Sequence, residues 1–398
     1  MHDHLRPQIE RPQAPPELNG PGVTPQRIEN PMNYLVLPVI ALLVPHLAAP
    51  TAPADEDPAA RLAALGARCE RDAGGAIIGV DLSNAWLTDH DLETLARLPG
   101  LVDIDLSYTK VTDLGLELLA PLRNVKRLNL YYAEYVTDVG IAHLKHWRDL
   151  EILDVRGTKV TSEVFEHVSG MSKLRALDVG QSRVNDDLFE ALEGLDRLES
   201  LAFGGNKMSG VALPLLKTLP GLRSLSVSGR QRTDSGLWSV AVTDFNVGHI
   251  ADLGRLEELD LAETTITDRG VAELARLSNL RVLDLSGTKV TARGIEALAG
   301  LPNLRHLKLW NAPGIDDAAV PALLKLEGLE ALELQETNLS ARGVAQLAGM
   351  TGLEQLFLGG IDVTPEEVDA LGDALPSCRV SWWEAPVIIE PESDRRGG

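Results

Sequence analysis

Acidic residues recur at one register along the chain: Asp81, Asp105, Asp154, Asp178, Asp260, Asp284 and Glu333. Each stands between two aliphatic residues, as in Leu283-Asp284-Leu285, so in a strand it faces away from the side its neighbours bury. Adjacent strands set pairs such as Asp154 and Asp178 about 5 Å apart, the separation at which a retaining glycosidase holds its two carboxyl groups. A catalytic pair is singular, whereas this register is acidic seven times. A solvated acidic ladder, partly balanced by Arg175, Arg223, Arg281 and Arg305, is the simpler expectation. Glycan processing by a concave carboxylate pair stays open as an alternative. His143 and His146, three apart, have metal-ligand spacing, but no third ligand accompanies them and they read as surface histidines. There is no phosphate loop with its Lys, no dinucleotide glycine pattern and no serine elbow. No cofactor, metal or catalytic residue is expected.

Composition narrows the partner. The 398 residues include 44% hydrophobic side chains but only 4% aromatic ones, so aliphatic residues must fill the core. A net charge of -21 opposes a phosphate backbone, and nucleic acid is not an expected ligand. Two cysteines exclude both a disulfide-stapled scaffold and a thiolate zinc cluster.

The elements that position these residues repeat. Leu101, Val125, Leu150, Leu174, Leu198, Leu222, Leu256, Leu280, Leu304, Leu329 and Leu353 are spaced by 24 residues, with 25 twice and 34 once. Counting each of these as position 1, aliphatic residues at positions 4 and 6 mark a short strand, and a later spacing of three, as in Val271, Leu274 and Leu277, marks a helix. A helix start needs a side-chain oxygen for its free N–H groups. Thr88, Thr112, Thr137, Thr161, Asn185, Ser209, Thr243, Thr267, Thr291, Asp316, Ser340 and Thr364 supply one in each unit. Acids just after them, such as Asp113 and Asp268, suit the positive end of their own helix.

This pattern resembles the leucine-rich repeat family, nearest to its ribonuclease-inhibitor-like and cysteine-containing classes. The unit Leu130-Tyr131-Tyr132-Ala133-Glu134-Tyr135-Val136-Thr137-Asp138 has Ala133 where the family has its cysteine. In shorter units Thr109, Thr158, Thr264, Thr288 and Thr337 occupy that turn and are expected to bond to neighbouring turns. The resemblance covers about three quarters of the chain and is similar in tone to bacterial secreted repeat proteins. It implies an α/β solenoid, a curved horseshoe with parallel strands on the concave face, short helices on the convex face and about twelve repeats of 24 residues. It implies binding in general and no one ligand. The expected organisation is a Pro-rich leader 1–31, a signal peptide or anchor 32–54, an amino-terminal cap 55–76, repeats 77–377, and a cap strand with tail 378–398. Cys69 and Cys378, at opposite ends, are expected to be buried cap residues.

Departures from the chain's own repeat locate the candidate surface. The two 25-residue units place Tyr131 and Trp310 at position 7, where others have mainly Ser, Gly or Ala. Tyr108, Tyr131 and Tyr132 lie near Arg127 and Arg156, and rigid aromatics beside Arg are what binding hot spots favour. The 34-residue unit inserts about 229–241, with Arg230, Arg232 and Trp238, and its helix start is assigned to Thr243 because Val242 then falls on the buried position. The reading is a monomeric scaffold without catalysis, binding a cationic or mixed-charge protein or peptide through the concave face and the inserted loop. An F-box-type substrate receptor is an alternative that lacks a helical adaptor-binding segment before the repeats. The apolar run Tyr34 to Ala49 and Ala52-Pro53-Ala54 predict export, periplasmic or secreted, with an uncleaved membrane anchor as the other reading.

Overall fold

The computed structural model describes residues 57–233 and 236–383. The leader, the apolar run, the cleavage site and the tail lie outside the described residues.

Position 4 of each unit pairs with position 4 of the next: Leu259, Leu283, Leu307, Leu332 and Leu356 lie side by side in parallel register. The result is an open curved sheet of fourteen strands, from Arg68–Arg71 to Arg379–Ser381, alternating with short helices. The first strand is antiparallel to Ile77–Asp81 and the other neighbours run parallel. Leu283 and Leu285 are fully buried while Asp284 between them is partly exposed, as the alternation requires. Burying such a leucine contributes roughly 1.5–3 kcal/mol. The core is mainly aliphatic. Phe165, Phe189 and Phe203 interrupt it with edge-to-face contacts, ring centres 5.2 and 5.4 Å apart, through three successive units.

The recurrent acids have a structural use. After each three-residue strand the chain must turn, and the position-5 carboxylate accepts the N–H two residues on. Asp81 holds Ser83, Asp105 holds Ser107, Asp154 holds Arg156, Asp178 holds Gly180, Asp260 holds Ala262 and Asp284 holds Ser286, at 2.7–3.1 Å. Asn129 does the same for Tyr131 at 3.0 Å. Position 8 then takes a left-handed conformation in unit after unit, including Tyr108 (φ 56°), Tyr132 (φ 54°), Gly157 (φ 73°) and Gly287 (φ 64°). The threonines one residue further bond within their own turn, not to neighbouring turns as expected. The hydroxyls of Thr109, Thr158, Thr264 and Thr288 donate to the carbonyl three residues back at 2.6–2.7 Å.

Most helix starts form as predicted, with Thr112, Thr137, Thr161, Thr267 and Thr291 accepting the N–H two residues on at 3.2–3.4 Å. Ser209 differs, because its unit has only the 3-10 turn Leu213–Thr218, which begins four residues on, and Asp186 accepts the N–H groups of Ser209, Gly210 and Ala212. The acids after the caps reach further than their own helix. Asp89, Asp113, Asp138, Asp244, Asp268 and Asp317 each accept both the N–H and the hydroxyl of the capping residue in the following unit. This joint also explains a glycine. A Cβ at Gly115, Gly140, Gly270 or Gly294 would sit 2.5–2.6 Å from the Oδ1 of the aspartate in the preceding unit.

The insertion forms a β-hairpin, Gln231–Thr233 against Gly236–Trp238. Thr243 opens the following turn, accepting the Phe245 N–H at 3.3 Å, with Val242 buried before it, but the helix expected to start there is only Gly248–Ala251, after a turn through 244–247. At the ends, helix Pro58–Ala64 buries Leu62, and Arg379–Ser381 extends the sheet beyond Gln355–Phe357. Cys69 and Cys378 are both free and only partly buried, because an edge strand has a neighbour on one side alone.

Candidate interaction surface

The predicted residues fall into three places. Tyr108, Tyr131 and Tyr132 form one cluster at the strand ends of two adjacent units. Tyr108 stacks on Tyr132 with ring centres 5.6 Å apart, and both meet Tyr131 edge-on at 5.2 and 4.8 Å. Tyr132 lies over Gly157, where a Cβ would meet its ring at 2.9 Å, and its hydroxyl bonds to Gln181. Tyr132 is thus partly a packing residue, while Tyr108 is 52% exposed on top of the cluster. Trp86, which the sequence reading passed over, continues this edge at 90% exposure with the Lys110 ammonium 4.8 Å from its ring centre. Its signal was a large aromatic in the first unit's turn, outside the position used to search for departures.

Arg127 and Arg156 are engaged elsewhere. Arg127 pairs with Asp103 on the adjoining strand, which holds its guanidinium pKa above the usual value. The Arg156 guanidinium approaches Asp178 at 3.8 Å, and its buried Nε has no hydrogen-bond partner.

The hairpin supplies the second place. Arg230 donates to the Glu263 carbonyl at 3.0 Å, and Gln231 reaches back to the Gln181 carbonyl at 3.3 Å. Arg232 is paired through its backbone with Leu237, and Trp238, half-buried, is opposite Gln231. Trp310 forms the third place, 41% exposed, and lines an open pocket with Gln335, Trp383, Asp260, Asp284 and Glu333.

The concave face keeps its negative charge. The arginines expected to balance the acidic ladder pair instead with glutamates of their own row at position 2: Arg175 with Glu199 at 2.7 Å, Arg223 with Glu257, and Arg305 with Glu330 at 3.4 Å. Burial, and then the charge of Asp178, push Asp154 up to about 6, against the Arg156 N–H and guanidinium. Burial likewise raises Asp178 and Asp284. Glu333 goes the other way, held down by the hydrogen bond from His306 at 2.9 Å and by Lys308. Among the described residues no group of three or more His, Cys, Asp or Glu is placed to hold a metal. No described helix is long and apolar enough to cross a membrane.

Short parallel strands, a left-handed turn and a capped helix, repeated at 24 residues, define a leucine-rich repeat solenoid. The family model described as Leucine Rich repeat matches residues 256–275 and 276–299. An internalin from Listeria monocytogenes (inlF) is 19% identical, with 81% of this chain and 93% of that one covered and a TM-score of 0.52. A leucine-rich repeat protein of Leptospira interrogans is 20% identical over 74% of this chain and 87% of that one, with a TM-score of 0.43. No curated protein sequence matches. The chain is similar to bacterial leucine-rich repeat proteins, and at these identities the likeness is one of fold.

Proposed function

We propose that the chain is a non-catalytic, monomeric scaffold that binds a protein or peptide of cationic or mixed charge. Its concave face and the loops at the strand ends are the recognition surface. The observation that carries this reading is the cluster of Tyr108, Tyr131 and Tyr132, three rings in mutual contact with Tyr108 half exposed. Pre-packed rings present a large contact area at little entropic cost. The position-5 acids support a scaffold over glycan chemistry, because each aspartate there closes its own strand end. Arg127, Arg156, Arg230, Arg232, Trp238 and Trp310 complete the proposed contacts.

The test compares wild-type protein with the double variant Tyr131→Ser, Tyr132→Gly. Ser and Gly occur at these positions in sister units, as Ser286 and Gly287, and Gly suits the left-handed backbone. A partner captured from the native host and identified by mass spectrometry should bind the variant about 2 kcal/mol or more weakly. Unchanged affinity in a folded variant would remove the tyrosines from the surface. Export is part of the proposal, with the amino terminus of the native protein near Asp55. A full-length cytoplasmic protein would overturn it.

A further inference from the structure

The strand-end row at position 7 runs Ala262, Ser286, Trp310, Gln335, Gly359 and then Trp383, which falls a further 24 residues on. Trp383 folds back over Gly359, so closely that a Cβ there would overlap its indole. Gln335 therefore has an indole to either side, Trp310 from the unit before and Trp383 from beyond Gly359. All three line the same open pocket. Gln335 is 8% exposed, and its buried Oε1 has no hydrogen-bond partner. A buried amide oxygen left unpaired is costly unless something donates to it, and the terminal torsion of a glutamine is soft enough to turn that oxygen toward an entering group.

Charge completes the description. Asp260, Glu263, Asp284 and Glu333 also line the pocket, against the single ammonium of Lys308. Lys308 lies 3.9 Å from both Asp284 and Glu333, beyond direct hydrogen-bonding distance. The pocket thus offers two aromatic faces, an unpaired acceptor and an excess of carboxylate. A guanidinium meets all three requirements, being planar, permanently charged and equipped with five N–H donors, and it stacks on indole. An ammonium has no face to stack, and a neutral sugar leaves the charge unanswered.

We infer that this pocket receives an arginine side chain of the partner, its guanidinium against Trp310 and Trp383 and donating to Gln335 and the neighbouring carboxylates. This rests on the scaffold reading and gives its partner a chemistry.

The test is calorimetric titration of the full chain at 150 mM salt with acetyl-Gly-Arg-Gly-amide, alongside its lysine and citrulline counterparts and chitotriose. The arginine peptide should bind at least tenfold more tightly than the neutral, equally shaped citrulline peptide, and more tightly than the lysine peptide. Trp310→Ser, the residue the preceding unit carries at Ser286, and Gln335→Leu should each weaken it at least fivefold. Asp105→Asn, at the far end of the sheet, should change nothing. Thermal unfolding identifies folded variants, and Trp383→Ala replaces any that fails. Equal affinity for citrulline, an equal effect of Asp105→Asn, or no binding of the arginine peptide would overturn the inference. Chitotriose binding that alone depends on Trp310 would make this a sugar site. A captured partner that still depends on Tyr131 and Tyr132 would leave the scaffold reading standing in each of those cases.

Discussion

Asp154 illustrates how burial and neighbours set the behaviour of one residue. Its folded pKa of about 6 lies above the value of about 3.9 expected in the unfolded chain. The folded state therefore holds the proton more tightly, so this group's contribution to stability is fully present below about pH 4, is lost as pH rises through 6, and levels off above. Asp154→Asn removes the charge, and the adjacent strand already carries Asn129 at this register. It should stabilise the protein by roughly 1–2 kcal/mol at pH 7.5 and by little at pH 4, as measured by urea unfolding at the two pH values. No pH dependence of the difference would contradict the assigned burial. Asp244 has the opposite sign. Burial opposes its ionisation, yet the bonds from Thr267 and Gly270 outweigh burial and hold its pKa below the usual value. Its contribution is present above the unfolded pKa and is lost as pH falls through the folded one. On the buried face of the sheet, opposite the position-5 acids, Leu283→Ala should cost roughly 2–5 kcal/mol through lost transfer energy and a cavity. Asp284→Ala forfeits one exposed-side hydrogen bond and should cost about 1 kcal/mol. Equal losses in thermal unfolding would mean the strand register is wrong.

Within the repeat, the joint between helix starts explains the recurrence of Thr, Asp and Gly. Gly270→Ala should destabilise by roughly 1–3 kcal/mol, because the new methyl would press on the Asp244 carboxylate 2.6 Å away. Asp244→Ala should cost about 2–3 kcal/mol through the stranded donors of Thr267 and Gly270. Combined, the two should cost less than their sum by about 1 kcal/mol, since the pressure on the methyl has gone. Strict additivity in denaturant unfolding would sink this account of the glycine. The strands, most of the caps and the turn opened by Thr243 were legible because they follow from local spacing and local chemistry, whereas the helices after Asn185, Ser209 and Thr243 begin several residues later than that spacing predicts. The joint was not, because Asp268 and Thr291 meet across units, and a reading that treats each unit separately assigns both to their own helix. The arginines of the position-2 row were misassigned for the same reason. On the candidate surface Tyr131 and Trp310 were visible as departures from a local consensus. Trp383 stood one period past the last recognised unit, and the lack of a partner for Gln335 is a fact of three dimensions.

For the whole molecule, charge predicts that association with a cationic partner slows as salt rises, because a surface of net charge -21 accelerates encounter only within the screening length. Stopped-flow association at rising ionic strength measures this, and an unchanged rate would mean that contact chemistry alone drives recognition. The aspartate joints are not continuous along the array. The acid is missing after Thr291 and Ser340, which Ala292 and Ala341 follow, but only the gap at Gly210, after Ser209, holds the hairpin insertion before the next unit's Thr243. The helices beside this gap are the 3-10 turns Phe189–Leu192 and Leu213–Thr218 and the four-residue Gly248–Ala251. Where each unit leans only on its neighbours, a missing rung is not shared out over the rest. Under tension applied at its two ends, such a chain parts first at this seam, where a missing rung coincides with the insertion and with short helical turns, and the hairpin is left on the torn edge.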